Sequence, residues 1–319
     1  MNNKFHHFQS YLYFYSADTT KAFLKHSYQN EHIENADQKS FANTYPFIYY
    51  LEHGQIYYEQ ADKAPLMIKP ILYFYGLVHL IKACILTVDP NYPETTSVLA
   101  HGVSARKRKK QQYLFVTDEV KFQKSGLFPY MAERLFHMKH LEGEKVQMAD
   151  LLKQMPELST LFHLTEKKQT FVEVNKCGNS FSIPLSVLDR YHMTESRFFD
   201  YLKSKINIET SNHSLNKESL QFDAEDSQLF NLRLLKYHQK EESFYIPIGK
   251  NDFNHYPELL AHYLLLYNLS MIARYETEWW NELIKMMPNN DFPFIKSFLD
   301  ITSTKGPYLV YQYLMSRRD

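Results

Sequence analysis

The sequence predicts a mainly α-helical protein, with a helical bundle-like core and a small α+β insert. The chain has 319 residues but only eight glycines, well below an average usage of about 7%. Few glycines allow few tight turns with positive φ, which favours helices over a fold of many strands. The segment 68–88 is apolar on every side of a helix, which is typical of a buried central helix. Strand-like alternation of apolar residues is concentrated between 168 and 249.

The N-terminal region, 1–167, is predicted to be helical around this central helix. Ser16 is a small polar residue suited to cap the helix that follows it. A second helix is predicted from about Ser40 to Gly54, because glycine is the usual residue just after a helix, and a separate short helix comes next. A further helix is predicted over 127–141.

The insert is predicted to span 168–249 and to contain strands, with one hairpin turning at Gly178. Helices resume in the C-terminal region, 250–319, where Pro307 is predicted to begin the last of them. The N-terminal helices alone cannot cover the segment 68–88. The C-terminal helices are therefore expected to pack back onto it, as one helical core that the insert interrupts.

The charge of the chain bears on the kind of partner it can have. It carries 36 basic and 36 acidic side chains, so the formal net charge is zero. A zero balance argues against nucleic acid or an anionic membrane as the dominant partner. The N-terminus has no apolar run of the kind found in signal peptides. The longest apolar stretch, 70–81, is shorter than the roughly 20 residues that span a bilayer. We therefore expect a cytoplasmic protein with no membrane association.

The spacing of glycines and cysteines excludes several classes of site. No two glycines lie closer than 17 residues, whereas a P-loop, a dinucleotide-binding turn and a hydrolase nucleophile elbow each need glycines within about six residues. Cys84 and Cys177 are too far apart for a CxxC pair, and two cysteines cannot build a zinc ribbon or a disulfide framework. We expect reduced cysteines, no cofactor and no metal. These absences favour a non-catalytic protein.

Several short segments match, in order, a pattern that spans nearly the whole chain. They are 13–16 (YFYS), 69–77 (KPILYFYGL), 101–104 (HGVS), 118–121 (DEVK) with 126–128 (GLF), and 269–275 (LSMIARY) with Trp279. On these segments the chain resembles the YaaC-like family. The resemblance implies helices similar to those of HEPN-type bundles. It also implies a link to IMP dehydrogenase, whose gene often lies beside those of the family, and thereby to regulation of purine metabolism.

A run of five basic residues, RKRKK, is the strongest local charge signal in the chain. It follows His101 and Gly102 with no acidic residue between them. Arg106, Lys107 and Arg108 could hold a phosphate, a nucleotide or an RNA backbone, since the arginine fork suits phosphate oxygens. Gly102 would let the backbone approach such a ligand closely, with His101 beside it. The alternative is a solvated loop whose charges only aid solubility.

The resemblance also implies a candidate catalytic pair. HEPN ribonucleases use an arginine followed four to six residues later by a histidine on a helix, and Arg134 and His140 have this spacing. His140 would act as general acid–base and Arg134 would stabilise the phosphate charge, without a metal. Leu135 departs from the pattern, in which a polar residue usually follows the arginine. Glu133, His137 and His140 could share one helix face, but spacing places no third strong ligand, so a surface helix is predicted instead of a metal site.

Near the C-terminus, Arg274, Tyr275 and Trp279 combine one cation with aromatic side chains at a predicted helix junction. Such groups are common in the hot spots of protein interfaces. They are equally common at structural corners, where tryptophan packs and arginine bonds carbonyls left free at a helix end. His79, inside the central helix, is predicted to be a hydrogen-bonded core histidine.

The leading functional prediction is a non-catalytic regulatory or interaction protein that binds a protein partner and, at the basic run, a nucleotide. The absence of glycine-based and cysteine-based signatures supports it. So does the supply of 25 tyrosines, because tyrosine offers contact area together with a hydroxyl group. IMP dehydrogenase is the first partner to test, through the family association. The alternative is a HEPN-like, metal-independent RNase that uses Arg134 and His140.

Overall fold

The computed structural model describes residues 6–105, 113–206, 213–215, 219–223, 234–249 and 256–318. The chain folds as two compact units. The first consists of Met1–Met148 and His262–Asp319, and the second of Ala149–Ala261. The second unit contains the segment 168–249, in which the sequence predicts the insert.

Helices dominate the described residues. In chain order the α-helices are α1 (Ala17–Asn30), α2 (Ala36–Lys63), α3 (Lys69–Leu86), α4 (Leu127–Phe136), α5 (Met148–Leu152), α6 (Ser159–Glu166), α7 (Ser186–Tyr191), α8 (Glu195–Ile206), α9 (Glu258–Tyr275), α10 (Thr277–Met286) and α11 (Asp291–Ser316). Short 3-10 helices cover His7–Tyr15, Thr96–Leu99, Phe115–Thr117 and Pro156–Leu158.

The strands form two antiparallel sheets. They are β1 (Val103–Ala105), β2 (Glu119–Phe122), β3 (Lys145–Gln147), β4 (Phe171–Cys177), β5 (Ser180–Pro184), β6 (His213–Leu215), β7 (Ser219–Asp223), β8 (Lys236–His238) and β9 (Ser243–Pro247). The first unit holds the sheet β1-β2-β3, and the second holds the sheet β6-β7-β5-β4-β9-β8. The predicted fold class, mainly α with a small α+β part, is confirmed.

The apolar helix α3 lies at the centre of the first unit, where α2 and α11 both pack against it. Its side chains are buried on several faces, as the all-round apolar pattern predicts. By length and composition alone α3 could cross a membrane, but 67% of it is buried inside the protein. Burial of this kind is what a core helix of a globular unit shows.

The predicted helix end at Gly54 is wrong, because α2 continues unbroken to Lys63. Gly54 lies instead where α2 meets α3. A Cβ atom at Gly54 would come within 2.5 Å of the Leu80 side chain and 3.3 Å of the Gly76 carbonyl oxygen. On α3, a Cβ atom at Gly76 would lie 2.7 Å from the Tyr58 ring. Both glycines therefore permit close helix packing, and neither ends a helix.

Pro307 does not begin a new helix either, because α11 continues through it. A proline inside a helix leaves the carbonyl four residues earlier without its usual N–H partner. Here that carbonyl belongs to Ser303, and Nε2 of His7 donates a hydrogen bond to its oxygen at 3.1 Å. The carbonyl of Pro307 accepts a hydrogen bond from the Tyr11 hydroxyl at 2.6 Å. Contacts from the N-terminal 3-10 helix thus support the proline-containing turn.

Helix α4 is shorter than predicted, because it ends at Phe136. His137 adopts the left-handed conformation, with φ of 53°, and its N–H bonds the Glu133 carbonyl. The next N–H also bonds back into the helix. These bonds satisfy carbonyls that a helix end leaves free, so they terminate α4 in the way a glycine usually does.

The second unit has its own hydrophobic core, drawn from its strands and from helices α7 and α8. Phe181 and Phe222 stack across β5 and β7 at its centre, with ring centroids 5.3 Å apart. The hairpin of β4 and β5 turns at Gly178, with φ of 61°, as predicted. The strand predicted over 229–235 lies mostly outside the described residues.

Candidate functional site

Four half-buried basic side chains interact in the first unit, and we call them the basic cluster. They are His79 and Lys82 on α3, His101 between α3 and β1, and Arg274 near the end of α9. The positive charges of Arg274 and Lys82 both act on His101, and that of Lys82 also acts on His79. Elements far apart in sequence therefore bring four basic groups to one place.

Side chains of α2 line one side of the cluster. The ring of Tyr57 stacks on His79, with centroids 5.5 Å apart and an angle of 18° between the planes. His53 meets His79 edge-on at 5.2 Å. The Nζ atom of Lys82 lies over the ring of Tyr50, 5.7 Å from its centroid. These partners follow from sequence spacing, since positions 50, 53 and 57 share one face of a helix.

Aromatic rings of α3 and α9 contact His101, and one of them also contacts Arg274. The His101 ring contacts Tyr75 and Tyr267, with centroid distances of 6.3 and 5.6 Å. One Nη of Arg274 lies 3.4 Å from the Tyr75 hydroxyl, to which it donates, and Nε donates to the Ser270 carbonyl at 3.1 Å. The guanidinium is thus oriented by its own helix, next to the tyrosine that also touches His101.

The backbone around His101 is fixed by hydrogen bonds and by a glycine contact. The His101 carbonyl accepts from the Tyr263 hydroxyl at 2.8 Å and from the Phe128 N–H at 3.1 Å. Gly102 has φ of 77° and packs directly on Gly126, so neither has room for a Cβ atom. This packing is a sufficient reason for the glycine at position 102, independent of the ligand approach predicted for it.

No carboxylate among the described residues forms a salt bridge with the basic cluster. Lys82 and Arg274 form no salt bridge within the described residues. Burial, followed by the positive charge of Lys82 and by the neighbouring His53, lowers the pKa of His79 to about 4. Burial, followed by Arg274 and Lys82, also lowers the pKa of His101. Both histidines are therefore neutral near pH 7, and the site favours an arriving anion.

His79 was predicted to be a hydrogen-bonded core histidine, but the structure shows a different environment. Its Nδ1 atom is buried and makes no hydrogen bond to any described residue. A buried polar atom without a partner costs free energy. His79 therefore carries a buried nitrogen whose hydrogen-bonding capacity the described residues leave unused.

Chemically, this arrangement can hold an anion next to aromatic rings. Lysine and arginine donate charge-assisted hydrogen bonds to phosphate or carboxylate oxygens. The rings of Tyr50, Tyr57 and Tyr75 add flat surfaces, and their hydroxyl groups add further donors. Within the part of the chain that the structure describes, no group of three or more His, Cys, Asp or Glu side chains could hold a metal ion.

The relationship of the chain to known proteins is clear at the level of the family. The model of the YaaC-like protein family matches residues 12–314, nearly the whole chain. The chain belongs to the YaaC-like family. The resemblance of its sequence motifs to that family is confirmed, and all four residues of the basic cluster lie in the matched range. No curated protein and no solved structure matches the chain.

In this YaaC-like protein, two residues predicted for different sites come together. His101 was predicted to bind a ligand and Arg274 to bind a partner, yet both contact Tyr75 and both belong to the basic cluster. Arg106, Lys107 and Arg108 follow β1 directly in sequence and lie outside the described residues. Their predicted role in phosphate binding stays a prediction.

The other residues predicted for partner binding have different environments. Tyr275 is 65% exposed, and the Arg274 guanidinium lies over its ring at 5.3 Å. Trp279 packs edge-on against Tyr113 at 4.7 Å. The adjacent Trp280 is buried, and its Nε1 donates to a backbone carbonyl at 2.9 Å. The tryptophans of this YaaC-like protein therefore contribute to a packed corner, whereas Tyr275 presents its ring to solvent.

Arg134 and His140 do not share a helix in this YaaC-like protein. Arg134 lies in the last turn of α4, with its guanidinium over the ring of Tyr130 at 5.4 Å. His140 comes after the helix end and has a positive φ of 62°. The helical spacing that suggested a ribonuclease pair is thus absent, because α4 stops before His140.

Sequence reasoning missed most of the residues around the basic cluster. Tyr75, His79 and Lys82 recur at i, i+4 and i+7, so they form a polar stripe on a helix that is otherwise apolar. Tyr267 and Arg274 on α9 are likewise seven residues apart. The spacing of these residues could have predicted that they share a helix face. On α3 the pattern was overlooked because the other positions of the helix are apolar all round.

Proposed function

We propose that this protein is a non-catalytic binding protein whose basic cluster takes a nucleotide or a similar phosphate-bearing ligand, and which acts through a protein partner. One observation carries the ligand part: four half-buried basic side chains without a described carboxylate partner, lined by tyrosines. Half-buried cations that lack a counter-ion are costly. A phosphate group would offset that cost, because its oxygens can accept from several donors at once.

The aromatic lining supports a nucleotide over a bare inorganic anion. Tyr57 and His79 already stack with nearly parallel rings, and Tyr50 lies beside Lys82. Ring faces of this kind bind flat groups such as nucleobases, whereas inorganic phosphate would use only the cations. The ligand we propose therefore combines a phosphate group with a planar ring.

A melting experiment tests the ligand part. Mononucleotides, dinucleotides and short RNA are added to the whole protein at low salt, and a bound ligand is expected to raise its melting temperature. A ligand at 100 times its Kd contributes about 2.7 kcal/mol, which is easily measured. Arg106→Ala with Arg108→Ala should reduce the shift if the basic run also contacts the ligand. If no compound raises the melting temperature, the ligand part of the proposal fails.

The partner part rests on the position of Tyr275, an exposed ring directly beside Arg274. A protein that contacts Tyr275 would sit next to the basic cluster, so ligand and partner would influence each other. IMP dehydrogenase remains the first candidate through the family association.

Co-purification with IMP dehydrogenase, with and without nucleotide, tests the partner part. Tyr275→Ala is expected to weaken the complex about 10-fold or more, as interface tyrosines commonly do. Tyr13→Ala, which also removes an exposed ring, serves as the matched control and should have no effect. Equal complex formation by both variants would exclude Tyr275 from the interface, and absence of any complex would exclude IMP dehydrogenase.

A further inference from the structure

We infer that the basic cluster recognises a terminal phosphate monoester, which carries two negative charges, in preference to a phosphate diester, which carries one. This inference rests on the proposed function and concerns which phosphate-bearing ligand the site prefers. It comes from the number and arrangement of the basic groups, and from the fact that no carboxylate among the described residues forms a salt bridge with them.

The cluster offers more positive charge than a single negative charge can balance. Arginine carries a permanent positive charge, and Lys82 adds a second cation whose charge acts on His101. Each of the two histidines can add one further positive charge by taking up a proton, which would bring the total to four. A diester supplies one negative charge and two free oxygens. A terminal monoester supplies nearly two charges and three free oxygens, so it can use all of the donors.

The groups around His79 determine whether a bound ligand can favour its protonated form. It faces Tyr50, His53 and Tyr57 from α2, and Lys82 lies three residues further along its own helix. None of these groups is a carboxylate. The positive charge of Lys82 disfavours a proton on His79, whereas a bound anion would favour it. A dianion would offset the repulsion from Lys82 more strongly than a monoanion would.

His101 has the same kind of environment, with aromatic rings and cations around it. It faces Tyr75 of α3 and Tyr267 of α9, and the cations acting on it are Arg274 and Lys82. No carboxylate contributes to the lowered pKa of His101. Since no carboxylate of the described residues acts on His101, a negative charge that favours its protonated form would come from the ligand. Binding of a monoester should thus be accompanied by proton uptake.

Calorimetry with a matched pair of nucleotides tests this inference. The full chain is titrated at pH 7.5 and low salt with 5′-AMP and with 3′,5′-cyclic AMP, which share base and sugar but differ in the phosphate. Each titration is repeated in two buffers of different ionisation enthalpy, so that the number of protons taken up is measured. AMP is expected to bind about 10-fold tighter or more, through one further charge-assisted contact, with measurable proton uptake.

Histidine variants connect this preference to the cluster. His79→Gln and His101→Gln are each expected to reduce both the proton uptake and the preference for AMP. His163→Gln, which replaces an exposed histidine of the second unit, is the control and should leave both unchanged. Equal affinity for the two nucleotides, or binding of AMP without proton uptake, would overturn the inference and leave the proposed function intact. Failure of both nucleotides to bind at millimolar concentration would contradict the inference and the ligand part of the proposed function together.

Discussion

The double substitution Lys82→Ala, Arg274→Ala is expected to weaken nucleotide binding at least about 100-fold. Each hydrogen bond to a charged group contributes about 1.5–3 kcal/mol, and each 1.4 kcal/mol is a factor of about 10 in affinity. Both side chains are half-buried and form no salt bridge within the described residues. Their removal should therefore cost affinity without breaking an ion pair that the fold needs. Calorimetric titration with the nucleotide that gives the largest melting shift measures the loss.

A matched control separates local contacts from overall charge. Lys63→Ala with Lys285→Ala removes two positive charges from exposed positions of the same unit. If the cluster acts through direct contacts, this control should keep nucleotide affinity within about threefold at 0.15 M salt, where exposed charges are screened. Equal losses in the two double variants would show that net charge, and not the cluster, governs binding.

Replacing Gly76 by leucine is expected to destabilise the first unit more than any other single change considered for this protein. A Cβ atom at Gly76 would lie 2.7 Å from Cδ2 and 2.9 Å from Cε2 of Tyr58. The Tyr58 ring is fully buried, and its hydroxyl packs against Gly306 of α11, so it has no free space to move into. Overpacking of this kind costs about 1–3 kcal/mol for a small addition. We expect about 2 kcal/mol for Gly76→Ala and more for leucine, measured by urea unfolding.

Two comparisons make this packing prediction specific. Ala22→Leu adds a larger side chain to an exposed position of α1 and should change stability by less than about 0.5 kcal/mol. In a Tyr58→Leu background, Gly76→Ala should cost clearly less than in the wild type, because the ring it strikes is gone. If Gly76→Ala is as stable as the wild type, the close approach of α2 and α3 is not needed for the fold.

The fold was predictable where local signals and packing agree. The apolar pattern of α3 and the cap at Ser16 are both found, the cap as a hydrogen bond from the Thr19 N–H to the Ser16 side chain at 3.4 Å. Besides the early end of α4, two errors came at Gly54 and Pro307, which sequence rules treat as helix breakers. Both lie inside long helices, because partners distant in sequence accommodate them. A single sequence does not show which distant side chain will pack against a glycine, or which will donate a hydrogen bond to the carbonyl that a proline leaves free.

The candidate site was predictable only in part, for a related reason. His101 and Arg274 could be singled out from the sequence, but nothing local says that residues 173 positions apart contact the same tyrosine. Lys82 and His79 lie in an apolar helix, so the sequence predicts that they belong to the hydrophobic core or to its edge. Their role depends on the charges around them, and that becomes visible only after the helices are packed.

The most direct test of the central claim, that the basic cluster is the ligand site, is an NMR titration of the histidine side chains with 5′-AMP. Signals of His79 and His101 are assigned by their loss in His79→Gln and His101→Gln, and His163 serves as an internal reference. We predict that the signals of His79 and His101 move together as AMP binds, towards the protonated form, while the signal of His163 stays in place. Saturating AMP that leaves both cluster histidines unmoved would contradict the claim.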